Sequence, residues 1–284
     1  MSPVVHAAKL GVVRGWIEFK QMLKSPQDFG FNIVMTVIFL IVLYFQRDRM
    51  IEGTDMALAM FVLPSLLGML VVFGGFMGAA TTLTFEREDG TLLRAKATPN
   101  GMVSYLISRI ISVTTYSLLS VIMLLVPGLF LIQGLADTPW TGWLMLIIIF
   151  IIGILATLPW GAVIGSVVKS TSSSFNLTML PIGGLTAISG IFNPITSLPD
   201  WLQIIAQIFP VYWLGLGMRA ALLPEAAVLA EIGESWRYLE MFGVLGIWAI
   251  AGFLIVPRLL RRMARKESGS TMEKRKQEMM SRGY

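Results

Sequence analysis

Six stretches of the chain, at about residues 29–45, 56–83, 105–132, 143–168, 175–195 and 239–256, are apolar and almost free of charge. Crossing a bilayer core of about 30 Å takes roughly 20 apolar residues in a helix, and these runs meet that requirement. Inside hydrocarbon no water satisfies the backbone, so each run is expected to be helical. Only 14% of the 284 residues are charged, against roughly 25% in a soluble domain. Such a chain has too little polar surface to cover itself in water. The expectation is an all-α integral membrane protein with six transmembrane helices, forming one domain over residues 1–284. The first apolar run follows a charged segment and lacks a small-residue cleavage pattern, so the N-terminus does not read as a cleavable signal peptide.

A pI near 9.6 and a net charge of +5 raise the question of a nucleic-acid partner. The distribution of the charges argues against one. With both termini in the cytoplasm, eighteen of the 22 lysines and arginines fall on inner segments, and only Arg47, Arg49, Arg219 and Arg237 fall outside. The positive-inside rule then predicts a multi-pass protein of the cell membrane with cytoplasmic termini. The basic tail, residues 258–284, begins near the run RLLRRMARKE and reads as an anchor to anionic membrane lipid.

Residues 1–28 predict an amphipathic interfacial helix. Val12, Trp16, Phe19 and Leu23 stack on one face, with Lys9, Lys20 and Lys24 beside it. Ser25-Pro26 breaks the helix before the bilayer. An ordinary juxtamembrane segment is the competing reading. Residues 196–240 are broken by Pro199, Pro210 and Pro224 yet remain rich in Trp, Leu and Ile. Short outer-leaflet helices between spans five and six fit both facts, with Trp201, Tyr212, Trp213 and Trp236 expected at headgroup depth.

The chain has one histidine, His6, and no cysteine. A Ser-His-Asp site inside the membrane and a two-histidine metal site are both excluded. No GxxxxGK[ST] loop is present: before Lys169-Ser170 stands Val168 in place of the glycine a phosphate cradle needs. The chain is therefore expected to bind no ATP. The spans carry no Asp, Glu or Lys near their centres, and Arg109 lies close to the inner end of the third. Ion-coupled carriers commonly place ionisable groups there. Gly74/Gly78 and Gly161/Gly165 form GxxxG pairs suited to close helix packing, within the chain or between two copies.

The most charged inner connection is residues 85–99, FEREDGTLLRAKATP. Gly90 suits a positive φ that closes the second span. Thr91 is expected to cap a short helical run at Leu92–Ala97, and Pro99 to stop it. That places a small charged helix with two exposed leucines in the cytoplasm, or else a simple solvated turn.

Glu86-Arg87-Glu88-Asp89-Gly90-Thr91-Leu92, with Ala97-Thr98-Pro99 after it, resembles the cytoplasmic loop of ABC-2 type permeases, the membrane subunits of ABC exporters. Ser189-Gly190-Ile191-Phe192-Asn193-Pro194, then Leu198-Pro199-Asp200-Trp201-Leu202-Gln203, Pro210 and Arg219, is similar to that family's fifth-span and outer-helix signature. Leu93-Arg94-Ala95-Lys96 departs from the more usual E-R-L-L-like run. The resemblance implies a second permease subunit, identical or related, around a central path. It also implies a pair of ABC ATPase subunits beneath, which hold the ATP and magnesium, so that this chain has no cofactor of its own. Residues 85–99 would be the coupling helix that docks on the ATPase.

The function expected from this is ATP-driven export of an amphipathic drug, antibiotic or lipid. The alternatives are a polysaccharide or glycolipid exporter permease, an ion-coupled carrier and a non-transporting membrane scaffold. Of the six tyrosines only Tyr116 lies well inside a span. That leaves few stacking surfaces for a sugar and favours apolar cargo.

Overall fold

The computed structural model describes residues 3–51, 56–168 and 170–266. Among them there are helices and no strand beyond one isolated bridge between Met50 and Ala57. The chain is an all-α integral membrane protein, and five of its helices are long and apolar enough to cross a bilayer.

Helix α1 (Pro3–Lys24) and α2 (Pro26–Gln46) are separated at Ser25, where the following proline disfavours helical backbone. The second span is α3 (Leu58–Phe73), a π-helical turn (Gly74–Gly78) and α4 (Ala79–Glu88). A short α5 (Thr91–Lys96) leads to α6 (Gly101–Leu131), α7 (Trp140–Val167), α8 (Thr171–Ile188), α9 (Asp200–Ile208), α10 (Pro210–Leu222) and α11 (Tyr238–Lys266). The basic tail lies in α11 as far as Lys266, and the rest of it falls outside the described residues.

The fifth apolar run departs from expectation. Its helix starts earlier, at Thr171, and stops at Ile188, where the chain turns through Gly190 at φ 68°. Eighteen residues span about 27 Å, and the run Thr171-Ser172-Ser173-Ser174 with Asn176 keeps α8 outside the five most apolar helices. Helices α9 and α10 meet at a 90° bend and supply a sixth crossing if the broken pair counts as one.

The second span is the centre of the molecule. In its most apolar stretch 78% of the residues are buried, against 17% in α2 and in α11. Helix α10 packs against α3 and α7, α11 packs on α7, and α1 and α2 lie on α6. Three of the four aromatics expected at headgroup depth are enclosed by protein. Tyr212, Trp213 and Trp236 are core residues, and only Trp201 stands out of the surface, 62% exposed. The indoles find partners inside: Trp213 Nε1 donates to the Gln207 carbonyl at 2.7 Å and Trp236 Nε1 to Glu225 at 3.2 Å. A satisfied N–H lets the large apolar ring be buried.

Gly161 and Gly165 serve packing within the chain. A Cβ on Gly161 would overlap the carbonyl oxygen of Phe76, and one on Gly165 would lie 2.7 Å from that of Ala80. On the other side of this contact the expected pair is replaced. Gly74 abuts Ser117, but the nearest atom to a Cβ on Gly78 is a Val113 methyl at 3.8 Å, an ordinary contact. The neighbouring Gly75 is pressed against Thr157 instead. The wide π turn shifts the facing residues, which a regular four-residue spacing does not anticipate.

Candidate functional site

The end of the second span and the loop after it form one connected polar structure. Glu86 is only 6% exposed. Tyr105 Oη donates to its Oε2 at 2.7 Å. Arg109 Nη1 and Arg14 Nη2 lie 3.3 Å and 3.8 Å from Oε1. Glu18 of α1 completes the cluster, accepting from Arg14 Nε at 2.9 Å, from Ser112 Oγ at 2.6 Å and from Arg109. Two carboxylates and two guanidinium groups thus alternate between α1, α4 and α6. A buried charge is tolerated when such partners hold it.

The next two residues bind elsewhere. Arg87 is buried and donates to the carbonyls of Gly165 at 2.7 Å and Val168 at 2.9 Å. A cation there satisfies the last carbonyls of α7 and meets the negative end of its dipole. Glu88 accepts from the Thr171 hydroxyl at 2.5 Å and from its backbone N–H at 3.2 Å, so a carboxylate sits at the positive end of α8. Three consecutive side chains therefore fasten the loop's root to α6 with α1, to α7 and to α8.

Gly90 adopts φ 78°, as its position requires, and it is Gly90 and not Thr91 that stands at the N-cap of α5, with no side-chain cap of its own. Asp89 accepts from the Thr91 N–H at 2.8 Å and from its hydroxyl at 2.9 Å. Thr91 is the first helical residue. Leu92 is not one of two exposed leucines. It is 2% exposed, packed with Leu83, Tyr105 and Leu260. The polar exposed residues of the loop are Asp89, Arg94, Lys96 and Thr98. Glu86 and Glu88 at its root face inward, whereas Asp89 is exposed.

Two residues that position this cluster carry a signal that was there to be read. Gly11 and Gly15 repeat the GxxxG spacing in α1. A Cβ on Gly11 would meet the Ser104 carbonyl oxygen at 2.6 Å, and one on Gly15 would meet Ile111 Cβ at 2.8 Å. Helix α1 therefore runs along the first turns of α6 in the same direction. Arg14 and Glu18, four apart, are the matching ion-pair signal. The face of Val12, Trp16 and Leu23 points away from this contact and is exposed.

Of the outer signature residues, Gly190 meets Arg219 directly. Arg219 is fully buried, with Nε 2.5 Å from Glu231 Oε1, Nη1 2.8 Å from Ser65 Oγ and its guanidinium 4.5 Å from the centre of the Phe61 ring. The carbonyl of Gly190 accepts from it at 3.3 Å. Ser189 is buried and its hydroxyl donates to the Leu185 carbonyl at 2.5 Å. Pro194 precedes a 3-10 turn at Ile195–Ser197, Pro199 precedes α9, and Pro210 is the first residue of α10. Trp201 stands apart from the cluster. Arg219, expected as an outer cation, is thus the centre of a staple through α3, α10 and the turn after α8. Hydropathy reads an arginine as an exclusion from the core and so misses a paired one.

No curated protein and no solved structure matches the chain. A sequence model of the ABC-2 type transporter family matches residues 13–223, which take in the loop root and Arg219 with Ser65 and Gly190, but not Glu231. The chain belongs to the ABC-2 type transporter family and is a membrane permease of an ABC transporter.

Proposed function

We propose that the chain is the permease half of an ATP-driven exporter for an amphipathic drug, antibiotic or lipid, paired with a second permease chain above two ATPase subunits. Both termini are cytoplasmic in this reading, and residues 85–99 form the coupling helix. The observation that carries it is the root of that loop. Glu86, Arg87 and Glu88 bond to α6 with α1, to α7 and to α8 respectively. A push on the loop from a partner would reach three parts of the transmembrane domain at once. The loop would present Asp89, Arg94 and Lys96 to the ATPase, while Glu86 and Glu88 hold the chain's own helices.

ATP binding would close the ATPase pair, the loops would move with it, and the two permease chains would repack to release cargo outward. The test is reconstitution in vesicles with and without the ATPase. Export should require the ATPase and ATP, and the purified single chain should bind no nucleotide. Gradient-driven transport by the chain alone, or tight nucleotide binding by it, overturns the reading.

A further inference from the structure

Three breaks in the helices meet around Trp248 of α11. The first is the π-helical turn Gly74–Gly78 of the second span. The second is Pro159, inside α7. The third is Phe209, whose extended backbone makes the 90° bend between α9 and α10. The Trp248 ring lies 6.5 Å from that of Phe76, 5.0 Å from that of Trp160 and 5.8 Å from that of Phe209, centre to centre. Its Nε1 donates to the Ile208 carbonyl at 2.9 Å, and its own carbonyl accepts from Trp160 Nε1 at 2.9 Å. The π turn and α7 also touch directly. A Cβ on Gly75 would overlap Thr157, and the carbonyls of Gly75 and Phe76 lie against Gly161.

A π turn widens the backbone ladder and a proline removes one of its bonds. Sharp kinks concentrate at both. On the outer side of this layer, Arg219 ties α10 to α3 and to the turn after α8. On the inner side, Glu86, Arg87 and Glu88 tie α4 to α6, to the end of α7 and to the start of α8. Charged hydrogen bonds thus lock both ends, and aromatic rings fill the layer between. Ser117 is buried against Gly74, but its hydroxyl has no partner and adds no bond to the turn.

Packing does not explain Gly78. Its φ of −59° suits any residue, and a Cβ there would meet nothing closer than a Val113 methyl at 3.8 Å. Glycine inside a helix is less favourable than alanine. What it supplies in return is backbone freedom.

We propose that this layer is the hinge of the transport cycle, with Gly78 and Trp248 as positioning residues. The inner parts of the second span and of α7 swing there against the outer parts when the loop is pushed. The hinge rests on the coupling role proposed for residues 85–99. Helix α3 is buried against α10 and α7, so a push on the root is absorbed where the ladder is already widened.

The test is hydrogen exchange in the transporter assembled with its ATPase in lipid nanodiscs. Amides of residues 74–79 should exchange faster than those of 62–72 and 80–84 on either side. Gly78→Ala should slow them roughly fivefold, the equivalent of about 1 kcal/mol of helix preference. The kcat for ATP hydrolysis should fall by a similar factor, with KM for ATP unchanged and the melting temperature not lowered. Trp248→Leu, which removes the ring contacts, should speed exchange at the same amides. Gly243→Ala, in an open stretch of α11, is the control and should leave kcat at the parental value. Even exchange along the second span overturns the hinge. So do a parental kcat in Gly78→Ala, unchanged exchange in Trp248→Leu, and an equal fall of kcat in Gly243→Ala. Dependence of ATP hydrolysis on the parental permease is measured first. If there is none, the coupling reading fails, and the exchange pattern alone decides the hinge.

Discussion

Tyr105 Oη donates a 2.7 Å hydrogen bond to Glu86 Oε2, and this contact joins the start of the third span to the end of the second. The carboxylate at the root of the loop is therefore a structural group of the chain's own interior, whatever else the loop contacts. Its removal has consequences that can be measured without any partner.

Glu86→Ala leaves Arg109 without one of its two carboxylates in a site where both are largely buried. Breaking one side of such a pair costs about 3–5 kcal/mol, and Tyr105→Phe, which removes a hydrogen bond to a charged group, about 1.5–3 kcal/mol. Both losses should appear as lower unfolding temperatures of the isolated chain in detergent. A Glu86→Ala chain that melts like the parent would assign the carboxylate to an interface instead.

Arg219 and Glu231 have no exposed side-chain surface and are 2.5 Å apart. Arg219→Met alone should cost about 3–5 kcal/mol, because it strands a buried carboxylate. The double variant Arg219→Met with Glu231→Leu should be more stable than either single one, since an apolar pair removes both desolvation penalties together. A double variant less stable than both singles would show that the charges themselves are required.

Gly15→Val should push α1 off α6, because its side chain would overlap Ile111. Overpacking of this kind costs about 1–3 kcal/mol. Ser108 is fully buried beneath this contact. A cysteine at Ser108 should become about tenfold more reactive toward a thiol reagent in the valine background, the factor set by about 1.4 kcal/mol of local opening. Unchanged protection would mean that α6 alone shields the position.

Gly90 holds φ 78° between α4 and α5. A β-branched side chain there is strained by about 1–2 kcal/mol, whereas asparagine tolerates the conformation. Gly90→Val should lower transport and substrate-stimulated ATP hydrolysis in the assembled transporter, with the protein still in the membrane. Gly90→Asn should retain most of both. Transport by Gly90→Val at the parental rate would remove the coupling role from this loop.

Orientation follows from single cysteines in the cysteine-free chain. Replacements at Ser2 and Ser281 should be labelled only from the cytoplasmic side, and one at the exposed Thr196 from outside. Labelling of Ser281→Cys from outside intact cells would reverse the topology.

The sequence by itself determined the membrane class, most of the span positions, the break at Ser25-Pro26 and the left-handed turn at Gly90. Each depends on residues adjacent in the chain: hydropathy sums over a window, proline constrains its neighbour, and positive φ favours glycine. Tertiary structure alone decided where the charges go. Arg219 meets Ser65 across 154 positions, and Arg87 meets the Gly165 carbonyl across 78. An arginine read along the sequence is a solvated cation, so the loop's carboxylates and Arg219 were expected at surfaces. Burial reverses that reading only when a counter-charge from another helix stands within hydrogen-bond reach. The same holds for Tyr212 and Trp213, whose enclosure by neighbouring helices no local window shows. The π turn is of this kind too: Gly74-Gly75 permits it, and the close approach of Ser117 and Thr157 selects the glycines that face them.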